Sequence, residues 1–168
     1  KYVQECHIAK KIILSGTANG SDAVFGLGKF VASMISFFCG KHHSGKTIEK
    51  ISFGSYEKQF DDKNWLSRDS KVLEEYKNDP LCGVSFPISF YKNLFKNLRK
   101  LNKNINKITN DTKILIISGD KDPLGRKGKG VTKLAKIYKK KGVNVTLKLY
   151  KDGRHELHNE LNKEEVFN

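Results

Sequence analysis

Three short stretches hold residue types at spacings that could do chemistry. Gly40-Lys41-His42-His43-Ser44-Gly45-Lys46-Thr47 fits G-x-x-x-x-G-K-[ST] at every fixed position. In that pattern backbone N–H groups wrap a polyphosphate, Lys reaches it and Thr holds Mg²⁺. Gly119-Asp120-Lys121-Asp122-Pro123 offers two carboxylates, and Asp152-Gly153-Arg154-His155-Glu156-Leu157-His158 offers two imidazoles. A carboxylate that fixes the tautomer of an imidazole, which then serves as base, is the Asp–His half of a nucleophilic triad. Asp120 and Asp122 divide the acid's part evenly on the residues alone. His158 follows His155 by three, but no third ligand at suitable spacing makes the two a metal pair. No metal and no cofactor are expected.

These groups act only where secondary structure projects them. Lys11-Ile12-Ile13-Leu14, closed by Ser15-Gly16, and Ile114-Leu115-Ile116-Ile117, closed by Ser118-Gly119, are continuous apolar runs. Such runs suit strands covered on both faces of a parallel sheet. Val143 to Tyr150 alternates, with Val143, Val145, Leu147 and Leu149 on one side, which suits a strand near a sheet edge. Between the second and third runs the spacing predicts a helix from Gly130 to Lys141, with Val131, Leu134, Ile137 and Tyr138 inward and Gly142 as its stop. Strand, helix and strand form a βαβ unit, so the class is α/β. In open α/β sheets ligands sit beyond the carboxyl ends of the strands. Both the Asp loop and the His turn fall there.

Residues 19–88 read as an insertion between the first two strands. One helix carries Leu27, Phe30, Val31, Met34, Ile35 and Phe38, and another, near Asp69 to Tyr76, ends at Asp79-Pro80. Phe90, Leu94, Phe95, Leu98 and Leu101 mark a further helix, and the Asn/Lys-rich stretch before the second strand is a surface connection. A working phosphate loop must leave a strand and enter a helix. Here the preceding residues have helical spacing, Gly40 sits where a helix C-cap glycine belongs, and Gly54 is expected to cut the following helix short. The match is read as fortuitous, with nucleotide binding kept as an alternative.

At 168 residues the chain suits one domain, and ten Phe, six Tyr and one Trp exclude a disordered basic tail. No apolar run reaches membrane-spanning length. The net charge of +14 raises nucleic acid or an anionic membrane as partners. Only four of the thirty-two basic residues are Arg, the side chain suited to bidentate phosphate and base recognition. The charge is therefore read as decoration of solvated faces, with no specific nucleic acid and with peripheral contact to an anionic membrane left compatible. Cys6, Cys39 and Cys82 form no metal-type pair and accord with a reducing compartment, cytoplasmic or membrane-peripheral. The chain opens on Lys1, so a targeting segment is not judged and localisation is unknown. Its opening reads as the last turns of a helix and its ending as the first turn of another. The expectation is that residues 1–168 are the C-terminal part of one larger domain, whose N-terminal half is missing.

The stretches "KKIILSGT", "WLSRD", "NDPLCG", "ILIISGDKDPLGRKGKGV" and "VTLKLYKDGRHELHNELNKEEV" carry a resemblance. The chain resembles the C-terminal part of the monoacylglycerol lipase and lysophospholipase group of α/β-hydrolases. The resemblance implies a partial α/β-hydrolase fold of three mostly parallel strands with flanking helices, and makes 19–88 a helical cap over a lipid-binding cleft. It puts the acid at Asp122 and the base at His155, and implies a lipid ester substrate. Trp65-Leu66-Ser67-Arg68-Asp69 is expected to anchor the cap on the sheet, with Arg68 tied to a carboxylate. The nucleophile of that group sits in G-x-S-x-G, a pattern with no match in these residues. It is expected upstream of Lys1, and the chain alone is expected to be inactive. A non-catalytic remnant or binding module is the alternative.

Overall fold

A computed structural model describes residues 2–6, 9–18, 22–104, 107–109 and 111–168. The expected start of the insertion at residue 19, and residues 105, 106 and 110 of the Asn/Lys-rich connection, lie outside them. The elements run α1 (Tyr2–Cys6), β1 (Lys11–Ser15), α2 (Asp22–Cys39), α3 (Lys46–Glu57), α4 (Ser70–Asn78), α5 (Ile88–Lys103), β2 (Lys113–Gly119), α6 (Lys129–Lys140), β3 (Asn144–Tyr150), a 3-10 turn (Leu157–Asn159) and α7 (Glu164–Phe167).

The sheet has the order β1-β2-β3, and both pairings are parallel. Ile12 faces Ile114, and Ile116 faces Leu147. β2 is the central strand and is covered on both sides. Ile114 and Ile116 pack with Val131, Leu134 and Ala135 of α6 and with Val143 and Val145. On the opposite face Ile117 meets Tyr150 and Leu157. Each fully buried side chain of this size contributes about 1.5–3 kcal/mol. β1 departs from the expected two-sided cover. Ile12 and Leu14 pack toward the core, but Ile13 points away from it and is 66% exposed. In α6, Ala135 joins the core, while Ile137 and Tyr138 are only half-buried.

The helices between β1 and β2 build a second, smaller core. Ala32, Ile48, Ile88 and Tyr91 are buried together, with Val31, Ile35, Phe53, Leu94 and Phe95 against them. One expectation needs correction here. α3 is not cut short, because a single glycine costs only about 1 kcal/mol inside a helix and α3 runs through Gly54 to Glu57. On α2 the apolar stripe divides: Val31 and Ile35 pack, whereas Leu27, Phe30, Met34 and Phe38 are exposed. Among the described residues no helix is long and apolar enough to cross a membrane.

Candidate active site

The phosphate-loop match has the wrong surroundings for a nucleotide. α2 precedes it, and Gly40, at φ +87°, ends that helix by donating its N–H to the Ser36 carbonyl. The Gly45 N–H, which a phosphate would need, donates to the Phe86 carbonyl, and Ile88 N–H returns a bond to His43. A Cβ on Gly45 would lie 2.3 Å from the Tyr91 ring. This glycine serves close packing between two connections. His42 and His43 are exposed loop residues.

At the carboxyl ends of the strands three backbone segments converge. Gly119, the last residue of β2, lies against the turn that follows β3: its missing Cβ would stand 1.9 Å from the Gly153 carbonyl oxygen. Asp120 N–H donates to Tyr150 O and Lys121 N–H to Gly153 O, each at 3.0 Å. The Asp120 carboxylate accepts from Asp152 N–H at 2.8 Å, so it holds the β3 turn in place. Asp122 is fully buried. One of its oxygens accepts from Leu124 N–H at 2.8 Å; the other lies 3.1 Å from His155 Nδ1. Against a carboxylate acceptor Nδ1 must carry the hydrogen, which leaves Nε2 with its lone pair. Gly16, just past β1, lies beneath the same imidazole. His158 is exposed on the 3-10 turn, and no group of three or more metal-type side chains occurs among the described residues.

The other side of His155 meets the helical segment. The Trp65 ring centre is 4.9 Å from that of the imidazole, and Phe53 and Tyr56 of α3 pack on Trp65 at 6.1 and 5.4 Å. Burial first, and then the charge of Asp122, push the Tyr56 phenol above its ordinary pKa, so it stays a neutral O–H. Phe53 and Tyr56 were beyond sequence reasoning because they lie in the part of α3 around and beyond Gly54. The periodicity of that helix was the only signal for them.

The Trp65–Asp69 stretch is tied to the β3 side as expected, with Arg68 on a carboxylate. His155 N–H donates to Trp65 O at 3.4 Å and Glu156 N–H to Leu66 O at 2.8 Å. Ser67 Oγ donates to Asn159 O at 2.6 Å, and Arg68 Nε to Glu160 at 2.8 Å. Arg154 adds a second tie. Its guanidinium donates to Asp62 at 2.7 Å, to Ser67 O at 3.1 Å and to Asn64 O, and it lies over the Phe60 ring. Partial burial works against the Asp62 carboxylate, but the Arg154 hydrogen bond and the Asn64 N–H outweigh it and lower its pKa. The result is an imidazole with one nitrogen on a buried carboxylate and one face under an indole, an arrangement able to accept and return a proton at Nε2.

Over residues 1–162 the sequence matches the family described as Serine aminopeptidase, S33 (Hydrolase_4). No curated protein matches it. Among solved structures the fold is similar to a highly thermostable carboxyl esterase from Bacillus coagulans, at TM-score 0.84 and 22% identity over 98% of this chain and 56% of that one. It is also similar to a lipase in its open form, at 0.82 and 19% over 98% and 56%, and to a monoacylglycerol lipase from Paleococcus ferrophilus, at 0.66 and 18% over 99% and 58%. The chain thus spans a little over half the length of these proteins.

Proposed function

Because the chain belongs to the Serine aminopeptidase, S33 family, Hydrolase_4, we propose that it supplies the acid and base of a serine hydrolase cleaving lipid carboxylic esters, monoacylglycerol or lysophospholipid. The contact that carries this reading is His155 Nδ1 to Asp122 at 3.1 Å, with Asp122 fully buried. Similarity to proteins named as carboxyl esterase, lipase and monoacylglycerol lipase supports the ester class. In this reading a serine from a G-x-S-x-G turn, outside these 168 residues, attacks the acyl carbonyl while His155 Nε2 takes its proton. His155 returns that proton to the leaving alcohol. Water then attacks the acyl carbonyl as His155 takes its proton. The carbonyl–serine bond breaks, His155 gives that proton to the departing serine oxygen, and the fatty acid is released. Asp122 orients the ring and stabilises the imidazolium. Residues 19–88 act as the cap, with the aromatic face of Trp65 closing on the imidazole and apolar side chains receiving the acyl chain.

The absence of G-x-S-x-G from the 168 residues favours a second reading, a binding module that keeps the fold without the reaction. One pair of polypeptides separates the two. The 168-residue chain should neither react with a serine-directed fluorophosphonate nor hydrolyse a monoacylglycerol. Joined to an upstream segment bearing G-x-S-x-G, it should do both, and His155→Ala should lower kcat by about 10⁴-fold or more. Stoichiometric labelling of the 168 residues alone, or hydrolysis indifferent to His155, would sink the proposal.

A further inference from the structure

Residues 126–141 contain Arg126 and seven lysines and no acidic residue, and all eight cations are exposed. Helix geometry gathers four of them. At about 100° per residue, Lys129, Lys133, Lys136 and Lys140 fall within about 60° of arc and extend over about 16 Å of α6. That row points away from Val131, Leu134 and Ala135, which hold the helix on the sheet. Among the described residues none of these cations lies within ion-pair distance of a carboxylate; the five ion pairs present all lie elsewhere. Beside the first half of the row is a shallow open depression of about 460 Å³, lined by Lys127, Lys129, Thr132, Lys133, Lys136 and the half-exposed Leu149.

We infer that this solvent face of α6 is a docking surface for an anionic phospholipid bilayer. A row of uncompensated charges 16 Å long exceeds what one phosphate can use. Seven of the eight cations are lysines, point charges that suit a plane of head groups; they lack the fork that reads phosphate or base edges bidentately. No aromatic side chain stands on the lysine row to stack a nucleobase, as single-strand binders require. Clusters of four to eight basic residues on one helix are sufficient for attraction to anionic leaflets. The choice of lipid over other polyanions rests on the lipid-ester reading above, but the binding itself needs no ester hydrolysis.

The test is vesicle co-sedimentation of the chain at low salt. Vesicles of phosphatidylcholine are compared with the same lipid containing about 30% phosphatidylserine. Binding should require phosphatidylserine and fall away when salt is raised to about 0.5 M. The variant Lys129→Gln, Lys133→Gln, Lys136→Gln, Lys140→Gln should bind at least about tenfold more weakly. A control with the same net charge, Lys50→Gln, Lys58→Gln, Lys71→Gln, Lys77→Gln on α3, α4 and their flanks, should lose no more than about twofold. Lys133→Gln with Lys136→Gln alone should give an intermediate loss while keeping the wild-type circular dichroism. Equal loss from both quadruple variants would assign the effect to net charge and overturn the surface. So would indifference to phosphatidylserine, or displacement from the vesicles by a single-stranded oligonucleotide or by inorganic phosphate. Vesicle binding without esterase activity in the G-x-S-x-G fusion would retain this surface and discard the enzyme reading alone.

Discussion

Glu160 has no exposed side-chain surface, and its charge is answered by Arg68, 2.8 Å away and itself only 26% exposed. Arg154 N–H adds a 2.7 Å bond to the other carboxylate oxygen. Removing one member of such a pair leaves a desolvated charge with no counter-ion, which costs more than the pair is worth. Arg68→Ala should therefore lower unfolding free energy by about 3–5 kcal/mol, and Arg68→Met combined with Glu160→Gln, which removes the charge but keeps an acceptor for Arg154 N–H, should recover most of it. Urea unfolding of the single and double variants checks both. A loss under about 1 kcal/mol for Arg68→Ala would mean that water already compensates Glu160. The same contrast of partners distinguishes the two aspartates, which the residues alone left even and the resemblance divided in favour of Asp122. Asp120 is used by the backbone of Asp152, whereas Asp122 is left facing His155. Spacing alone cannot decide this, because both residues stand on one short loop within reach of the next strand end.

The β2 end and the β3 turn meet backbone to backbone at Gly119 and Gly153, and that contact helps set how near Asp122 comes to His155. A Cβ at Gly119 would stand 1.9 and 2.2 Å from the carbonyl oxygen and carbon of Gly153. Neither neighbour is a flexible side-chain tip, so the whole turn must shift. Gly119→Ala should cost on the order of 3 kcal/mol and abolish the downfield imidazole N–H resonance that a hydrogen-bonded His155 gives. A retained resonance with unchanged stability would show that the turn yields freely. The strands themselves were legible. Ile12–Leu14 and Ile114–Ile117 are unbroken apolar runs, and the alternation from Val143 marks β3 as an edge, where it lies. What the sequence hid was long-range. Gly54 looked like a stop because propensity is local, yet Tyr56, beyond it, packs on Trp65, a tertiary contact that favours α3 continuing past the glycine. The ties from Asp62, Asn64 and Arg68 to Arg154 and Glu160 join residues about ninety apart. No periodicity encodes them. The strand-end positions of Asp122 and His155 could be read from the runs, but their separation and the indole over the ring could not.

On the scale of the whole molecule, apolar surface is unevenly covered. Val24, Leu27, Phe30, Phe37 and Phe38 of α2 are each more than 60% exposed, and Ile13 on the edge strand is 66% exposed. The opposite side of α2 packs through Ala32, Val31 and Ile35, so the helix is apolar nearly all round. A continuous exposed apolar stripe of this kind is unusual on a soluble monomer. It should make the native chain bind 8-anilinonaphthalene-1-sulfonate at neutral pH without denaturant, a behaviour otherwise associated with loosened states. Leu27→Gln, Phe30→Gln, Phe37→Gln should cut that fluorescence several-fold. Because these side chains bury little surface, the same changes should move unfolding free energy by no more than about 0.5 kcal/mol. Cooperative urea unfolding of the parent chain, measured alongside, separates exposed native surface from a molten core. If the triple variant binds the dye as strongly as the parent, the apolar surface it reports lies elsewhere than α2. If instead the variant loses several kcal/mol, the stripe is packed in solution and the prediction fails.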